Sequence, residues 1–257
     1  EMFAYMNPEG TIILNGDDDK LFAFTPENGV APTYFGLDAS HPFHAENVAN
    51  RGLKGSEADF VTPNSRFHAH ISIPGSHMVY NALAGIAVGY ALGMTDEEIA
   101  RGIEANVTIA GRNNIIETDN YTIIDDCYNA NPASMKASLD VLSFAGTRTV
   151  AILGDMFELG EGSEKMHYGV GVHAAEKDID VLICIGELTA ATVQGAMETA
   201  EEKGLPTEIH YFKTKEDFFK EAGDILKRKD TILIKASHGM SFTEIVEQLK
   251  DRQTQNF

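Results

Sequence analysis

The 257-residue sequence predicts an α/β protein whose second half is a Rossmann-like, doubly wound domain. Three observations carry this. From about residue 115 onward, short apolar runs alternate with amphipathic stretches of helical length. Two of those runs, Val150-Ala151-Ile152-Leu153 and Val181-Leu182-Ile183-Cys184-Ile185, are apolar on both faces, as strands inside a parallel sheet must be. And one junction, Tyr121 to Met135, passes from a β-prone run through a polar loop into a helix start.

Taken in order, residues 11–15 read as a buried strand that ends in the acidic loop Gly16-Asp17-Asp18-Asp19. Such a cluster can hold Mg²⁺ or cap the next helix, and spacing alone favours the solvated cap. Residues 33–37, 44–51 and 66–73 read as further strands separated by Gly and Pro. His68 and His70 share one face of the last of these; with no third ligand nearby, an exposed sheet face is expected rather than a metal site. Pro74-Gly75-Ser76-His77 opens a helix with Val79, Leu83, Ile86, Ala87 and Tyr90 on its apolar face and Gly93 as its stop. His77 and Asn81 lie one turn apart near its start, placed together to reach a nucleotide, though a single His at a helix start is more often a cap or core residue. Thr95 and Glu98 form a capping box for a helix running to about residue 106. Residues 108–114 read as a linker.

Beyond it, strands are expected near 115–118, 121–125, 149–153, 180–185, 208–212 and 231–235, with helices near 132–145, 165–176, 188–203, 214–227 and 241–250. Right-handed crossovers put the loops that follow these strands along one edge, the default ligand crevice of such a sheet. The most polar of those loops is Asp125-Asp126-Cys127-Tyr128-Asn129-Ala130-Asn131. Asn131 is a good N-cap and Pro132 suits the first helical position. The helix behind them, with Met135, Leu139 and Leu142 on one face, offers free N–H groups to a phosphate or carboxylate. Asn and Asp are also ordinary turn residues, so the loop alone leaves both readings open.

The net charge of −19 works against binding to nucleic acid or to an anionic membrane, and neither partner is expected. A phosphate-bearing substrate would need that field cancelled locally, by Mg²⁺ or a few basic residues. The two cysteines, Cys127 and Cys184, sit in or beside apolar runs without zinc spacing, which predicts buried, reduced thiols and a cytoplasmic location. No apolar run approaches the roughly 18 residues of a membrane span. The sequence opens at Glu1 without an initiator Met, and it is expected to be a piece of a longer protein. It has no G-x-x-x-x-G-K-[ST] loop, no G-x-G-x-x-G after a strand and no G-x-S-x-G elbow. No residue is assigned a catalytic role and none a metal. The residues alone lead to an anion or nucleotide site on an α/β scaffold.

Several strings, in this order, resemble the Mur ligases along essentially the whole chain. The most specific is Asp126-Cys127-Tyr128-Asn129-Ala130-Asn131-Pro132-x-Ser134-Met135. Gly154-Asp155-Met156-x-Glu158-Leu159-Gly160 followed by His167, and Lys235-Ala236-Ser237-His238-Gly239-Met240, resemble the family's other C-terminal signatures. Leu14-Asn15-Gly16-Asp17-Asp18-Asp19 and Gly75-Ser76-His77-Met78-Val79-Tyr80-Asn81 resemble the closing part of its central ATPase domain. The resemblance implies the remnant of a P-loop-type ATPase domain over residues 1–110, followed by the Rossmann-like domain over 111–257.

It also implies a chemistry: ATP- and Mg²⁺-dependent amide ligation through an acyl phosphate, in peptidoglycan precursor synthesis. The Tyr-Asn-Ala-Asn-Pro loop is most similar to the members that join D-Ala-D-Ala to UDP-N-acetylmuramoyl-tripeptide. By the same resemblance His77, Asn81, Arg112 and Asp126 face the nucleotide: Arg112 the phosphates, Asp126 the ribose. Tyr128, Asn129 and Asn131 belong to the loop that reads the peptide substrates, and Lys235 and Ser237 are further candidates there. The family's phosphate-binding loop, its carbamylated lysine and its UDP-gripping domain would lie upstream of Glu1. Met78 stands where many relatives carry Asn, and His238 where many carry Arg. The chain by itself is therefore expected not to ligate, and a monomer is expected. The alternatives are a non-catalytic nucleotide- or peptide-binding module, or a sister ligase such as another Mur enzyme or a folylpolyglutamate synthetase.

Overall fold

A computed structural model describes residues 5–24 and 29–251. The chain forms two compact units, Glu1–Val107 and Thr108–Phe257.

In the first unit, five strands pair in chain order: β1 (Ile13–Asn15), β2 (Thr33–Gly36), β3 (Phe43–Asn50), β4 (Ser56–Val61) and β5 (Arg66–Ile71). The first three are parallel and the last three antiparallel. A short helix α1 (Asp19–Phe22) follows β1, and α2 (His77–Ala91) and α3 (Asp96–Glu104) follow β5. Phe35, Phe43, Phe60 and Ile71 of the sheet close over Val79, Leu83 and Ile86 of α2 and Ile99 of α3. Gly93 takes φ +76° just beyond α2, the left-handed backbone that ends a helix. The Thr95–Glu98 capping box forms, and α3 ends two residues short of the expected position.

Strand β4 is an addition to the sequence reading. Its alternation is there, with Ser56, Ala58 and Phe60 buried between Glu57, Asp59 and Val61. Small residues and acids mute the apolar signal, however. β4 explains the histidine pair on β5. His68 faces Asp59 across the antiparallel ladder, with Nδ1 3.0 Å from the carboxylate, and Arg66 donates to the same group at 2.9 Å. Among the described residues no three His, Cys, Asp or Glu side chains are grouped to hold a metal. The acidic loop after β1 is likewise used by the fold. Asp18 caps α1 by accepting from Lys20 N and Leu21 N. Asp17 accepts from Leu37 N at 2.6 Å and Tyr80 Oη at 3.0 Å, and lies 3.1 Å from His41 Nε2. Burial pushes the Asp17 carboxyl up, but these donors together hold it below the ordinary aspartate value.

The second unit has a six-stranded sheet in the order β10-β9-β8-β11-β7-β6. The strands are β6 (Asn114–Glu117), β7 (Thr122–Asp125), β8 (Thr149–Gly154), β9 (Val181–Ile185), β10 (Glu208–Phe212) and β11 (Thr231–Lys235). Only β6 runs antiparallel to its neighbour. Helices α4 (Pro132–Leu142), α5 (Ser163–Glu176), α6 (Ala190–Lys203) and α7 (Lys215–Ile225) connect successive strands from β7 to β11, and α8 (Thr243–Asp251) follows β11. Strands β8, β9 and β11 are buried at every position. On one side of the sheet Ile152, Ile183 and Ile234 pack with Phe218, Phe242 and Ile245. Every expected strand and helix of this unit is present, shifted by a few residues at some ends. Because β7 to β11 are parallel, their C-terminal ends share one edge. Since β11 inserts between β7 and β8, the loops after β7 and β11 become neighbours there.

Candidate functional site at the strand ends

The loop after β7 is built around carboxylates that are already bonded. Asp125 is buried; its Oδ2 accepts from Gly111 N at 2.8 Å and its Oδ1 from Cys127 N at 3.4 Å. Asp126 Oδ1 accepts from Asn113 N at 2.9 Å, and Oδ2 accepts from Ser138 Oγ and Lys235 Nζ, both at 2.6 Å. Lys235 ends β11 with its side chain only 3% exposed. Its ammonium also donates to the Asn129 carbonyl at 2.9 Å. A buried ammonium is costly unless paired and fully hydrogen-bonded. Here one lysine meets that need by tying the loop after β7 to the end of β11. Asp126, Asn129 and Lys235 are thus brought together, with Lys235 turned inward onto the loop.

Asn131 caps α4 as the sequence predicts. Its Oδ1 accepts from Ser134 N at 2.8 Å, and its own N–H donates to Ser134 Oγ at 3.1 Å. Tyr128, Asn129 and Asn131 are exposed on the loop. Arg112 lies with its guanidinium carbon 4.2 Å from the centre of the Tyr128 ring, and the His238 ring is 5.8 Å from that ring. Ser237 is buried; it donates its N–H to the Asp155 carbonyl at 3.0 Å and accepts from Phe157 N at 2.8 Å through Oγ.

The loop after β8 is fixed from two further sides. His167, fully buried on α5, accepts from Met156 N at 2.9 Å through Nε2, so its Nδ1 carries the proton donated to the Ser163 carbonyl at 2.8 Å. Asp155 is buried and accepts from Thr189 N at 2.9 Å. Burial pushes the Asp155 carboxyl above its usual value, partly offset by N–H groups of Thr189, Leu188 and Glu187. Burial likewise pushes both thiols, Cys127 and Cys184, well above the ordinary range; both are free and buried.

His77 and Asn81 belong to the other unit. His77 starts α2 and both side chains are exposed. Asn81 Nδ2 lies 3.3 Å from Met78 Sδ. A pocket of about 220 Å³ opens beside Asn81, lined in part by Met78, Ala82, Gly85, Ile99 and Ile103. Two residues of the strand-end network, Asn113 and Ser138, were not singled out from sequence. Ser138 stands four residues after Ser134, the capping-box partner of Asn131, and accordingly donates to its carbonyl at 2.8 Å, the only local hint of its position. No three His, Cys, Asp or Glu side chains of the described residues form a metal cage, and an Mg²⁺ held mainly by a nucleotide's phosphates needs none.

The second unit is therefore a Rossmann-like α/β domain whose strand-end edge presents an exposed guanidinium among carboxylates already bonded within the fold. A model of the Mur ligase glutamate ligase domain matches residues 111–238, and one of the Mur ligase middle domain matches residues 1–89. The UDP-N-acetylmuramoyl-tripeptide–D-alanyl-D-alanine ligase of Bacillus subtilis is 30% identical over 255 residues, covering 97% of this chain and 53% of that protein. The ligase of the same name from Escherichia coli is 29% identical, covering 99% of this chain and 55% of that protein. Among solved structures, MurF from Acinetobacter baumannii superposes with a TM-score of 0.86 at 25% identity, covering 98% of this chain and 54% of that one. The chain belongs to the Mur ligase family, of which it carries a middle-domain part and a C-terminal domain. It spans about half the length of the curated relatives it matches.

Proposed function

We infer that this chain is the nucleotide- and acceptor-facing half of an ATP-dependent amide ligase. Its reaction would join D-Ala-D-Ala to UDP-N-acetylmuramoyl-tripeptide. The observation that carries the reading is the strand-end loop. Asp126, Asn129 and Lys235 form one bonded unit that holds Tyr128, Asn129 and Asn131 at the surface beside Arg112. Names borne by relatives over nearly the whole chain supply the substrates.

In this reaction a carboxylate oxygen of the tripeptide takes the γ-phosphoryl group of ATP, and the bond to ADP breaks. The amine of D-Ala-D-Ala then attacks the activated carbonyl carbon. The tetrahedral adduct loses a proton from nitrogen and expels inorganic phosphate as the C–O bond breaks. Arg112 would steady phosphate charge, and preorganised donors of this kind lower barriers most where charge develops. Asp126 would hold the ribose. In the first unit, Asn81 and His77 are separate candidates for a nucleotide contact. Mg²⁺, entering with the nucleotide, would screen phosphate charge.

The test is phosphate release from ATP that depends on both UDP-tripeptide and D-Ala-D-Ala. It is run on this chain and on the full-length natural protein that contains it. Turnover by the full-length protein and none by the chain is the expected result. If neither turns over while the chain still binds a nucleotide or peptide, the ligase reading gives way to a binding module.

A further inference from the structure

Tyr128 has an unusual position for a large aromatic residue. It is 51% exposed, so burial contributes little to keeping it there. Its backbone is nonetheless held firmly. Tyr128 N donates to the Gly111 carbonyl at 2.9 Å, Gly111 N donates to Asp125 at 2.8 Å, and Asn113 N donates to Asp126 at 2.9 Å. Three bonds thus lace residues 111–113 onto residues 125–128, and Arg112 sits at their centre. Gly111 takes φ +80°, and a Cβ there would come within 3.3 Å of Tyr128 N, so the close approach depends on glycine.

The consequence lies in where the Arg112 charge goes. In a chain of net charge −19, a long exposed guanidinium next to Asp125 and Asp126 would be expected to collapse onto a carboxylate. Both carboxylates instead already accept from other donors: Gly111 N and Cys127 N for Asp125, and Asn113 N, Ser138 and Lys235 for Asp126. Among the described residues Arg112 makes no ion pair; it stacks at 4.2 Å on the Tyr128 ring, whose other near neighbour is His238. A stacked guanidinium keeps its in-plane N–H groups free for an anion, and a pinned side chain has less rotamer entropy to lose on binding one.

We propose that Tyr128 is a positioning residue for Arg112, holding its guanidinium off the neighbouring carboxylates and ready for a nucleotide's phosphate chain. This rests on the reading that Arg112 meets those phosphates. It moves Tyr128 from reading the peptide to setting the phosphate contact, and it places both on one loop.

The test uses the 257-residue chain with Arg112 side-chain NMR signals, titrated with ATP and with adenosine. In the wild type the Arg112 side-chain protons are expected upfield, shielded by the ring. Y128L, which keeps bulk without a π face, should abolish that shift and weaken ATP by about two- to fivefold, leaving adenosine unchanged. Y128F should stay within about twofold of wild type in both. In an R112A background Y128L should add nothing. The proposal is overturned on its own if R112A weakens ATP while Y128L does not. It is also overturned if Arg112 shows no shielding, or if Y128L weakens ATP and adenosine alike. If R112A leaves ATP affinity unchanged, or if the wild type binds no nucleotide, the underlying phosphate reading fails and the proposal falls with it.

Discussion

Lys235 shows how far a single residue's role can be read before its surroundings are known. In the sequence it stands out as a cation at the end of a strand, in a string shared with a ligase family, which makes it a candidate for touching an anionic substrate. In the fold its ammonium is almost wholly enclosed and bonded to Asp126 and Asn129, more than a hundred residues earlier. Nothing local encodes that partnership. It arises because β11 inserts beside β7, and sheet order is a property of the packed chain. The physics of the pair gives an asymmetric prediction. Asp126→Ala leaves an enclosed ammonium with carbonyl acceptors only, and should cost about 3–4 kcal/mol. Lys235→Met leaves a carboxylate that is more exposed and still accepts from Asn113 N and Ser138 Oγ, and should cost about 2 kcal/mol. The double variant should lose less than the sum. Urea unfolding of the three variants checks this; equal and additive losses would show that the pair does not act as a unit.

At the scale of elements the sequence was more readable, and the reasons can be named. Strands β8, β9 and β11 are buried at every position, so each carries an apolar run, over residues 150–153, 181–185 and 232–234, without the polar alternation of a half-exposed strand. Helix α4 was legible from its start because its cap is local chemistry: Asn131 and Ser134 satisfy each other within one turn. Strand β4 was not, since a half-exposed strand of small and acidic residues resembles a loop until its partners are known. The same cap allows two roles of one residue to be separated. Asn131→Ala should destabilise the second unit by about 1 kcal/mol, by freeing the first-turn N–H of Ser134. Asn131→Asp should recover that loss, because a carboxylate oxygen caps as well as an amide oxygen and suits the helix N-terminus. The aspartate lacks the amide N–H₂, however. If the exposed Asn131 reads the peptide, Asn131→Asp should restore the thermal midpoint while leaving the KM for D-Ala-D-Ala raised in the full-length protein. Recovery of both would confine Asn131 to capping.

At the scale of the whole molecule the question is which part folds on its own resources. The core cluster of the second unit takes its buried residues from 121 to 249, with Ile116 packed against it, and that of the first takes its own from 35 to 99, with Ile13 and Ile103 packed against it. The second unit has helices on both sides of a six-stranded sheet, and its antiparallel edge strand β6 is only four residues long, which limits unpaired edge. Its roughly 150 residues lie in the range where a domain buries enough surface to be stable without help. The expectation is that residues 108–257, expressed alone, unfold in one cooperative urea transition with an m-value of about 1–3 kcal/mol/M. The midpoint should match that of the corresponding transition in the whole chain, and the Arg112 shielding by Tyr128 should be retained, since both residues and all three lacing bonds lie inside the unit. A fragment that binds a hydrophobic dye and unfolds gradually would show that the strand-end loop, and the anion contact argued from it, needs the first unit in order to form.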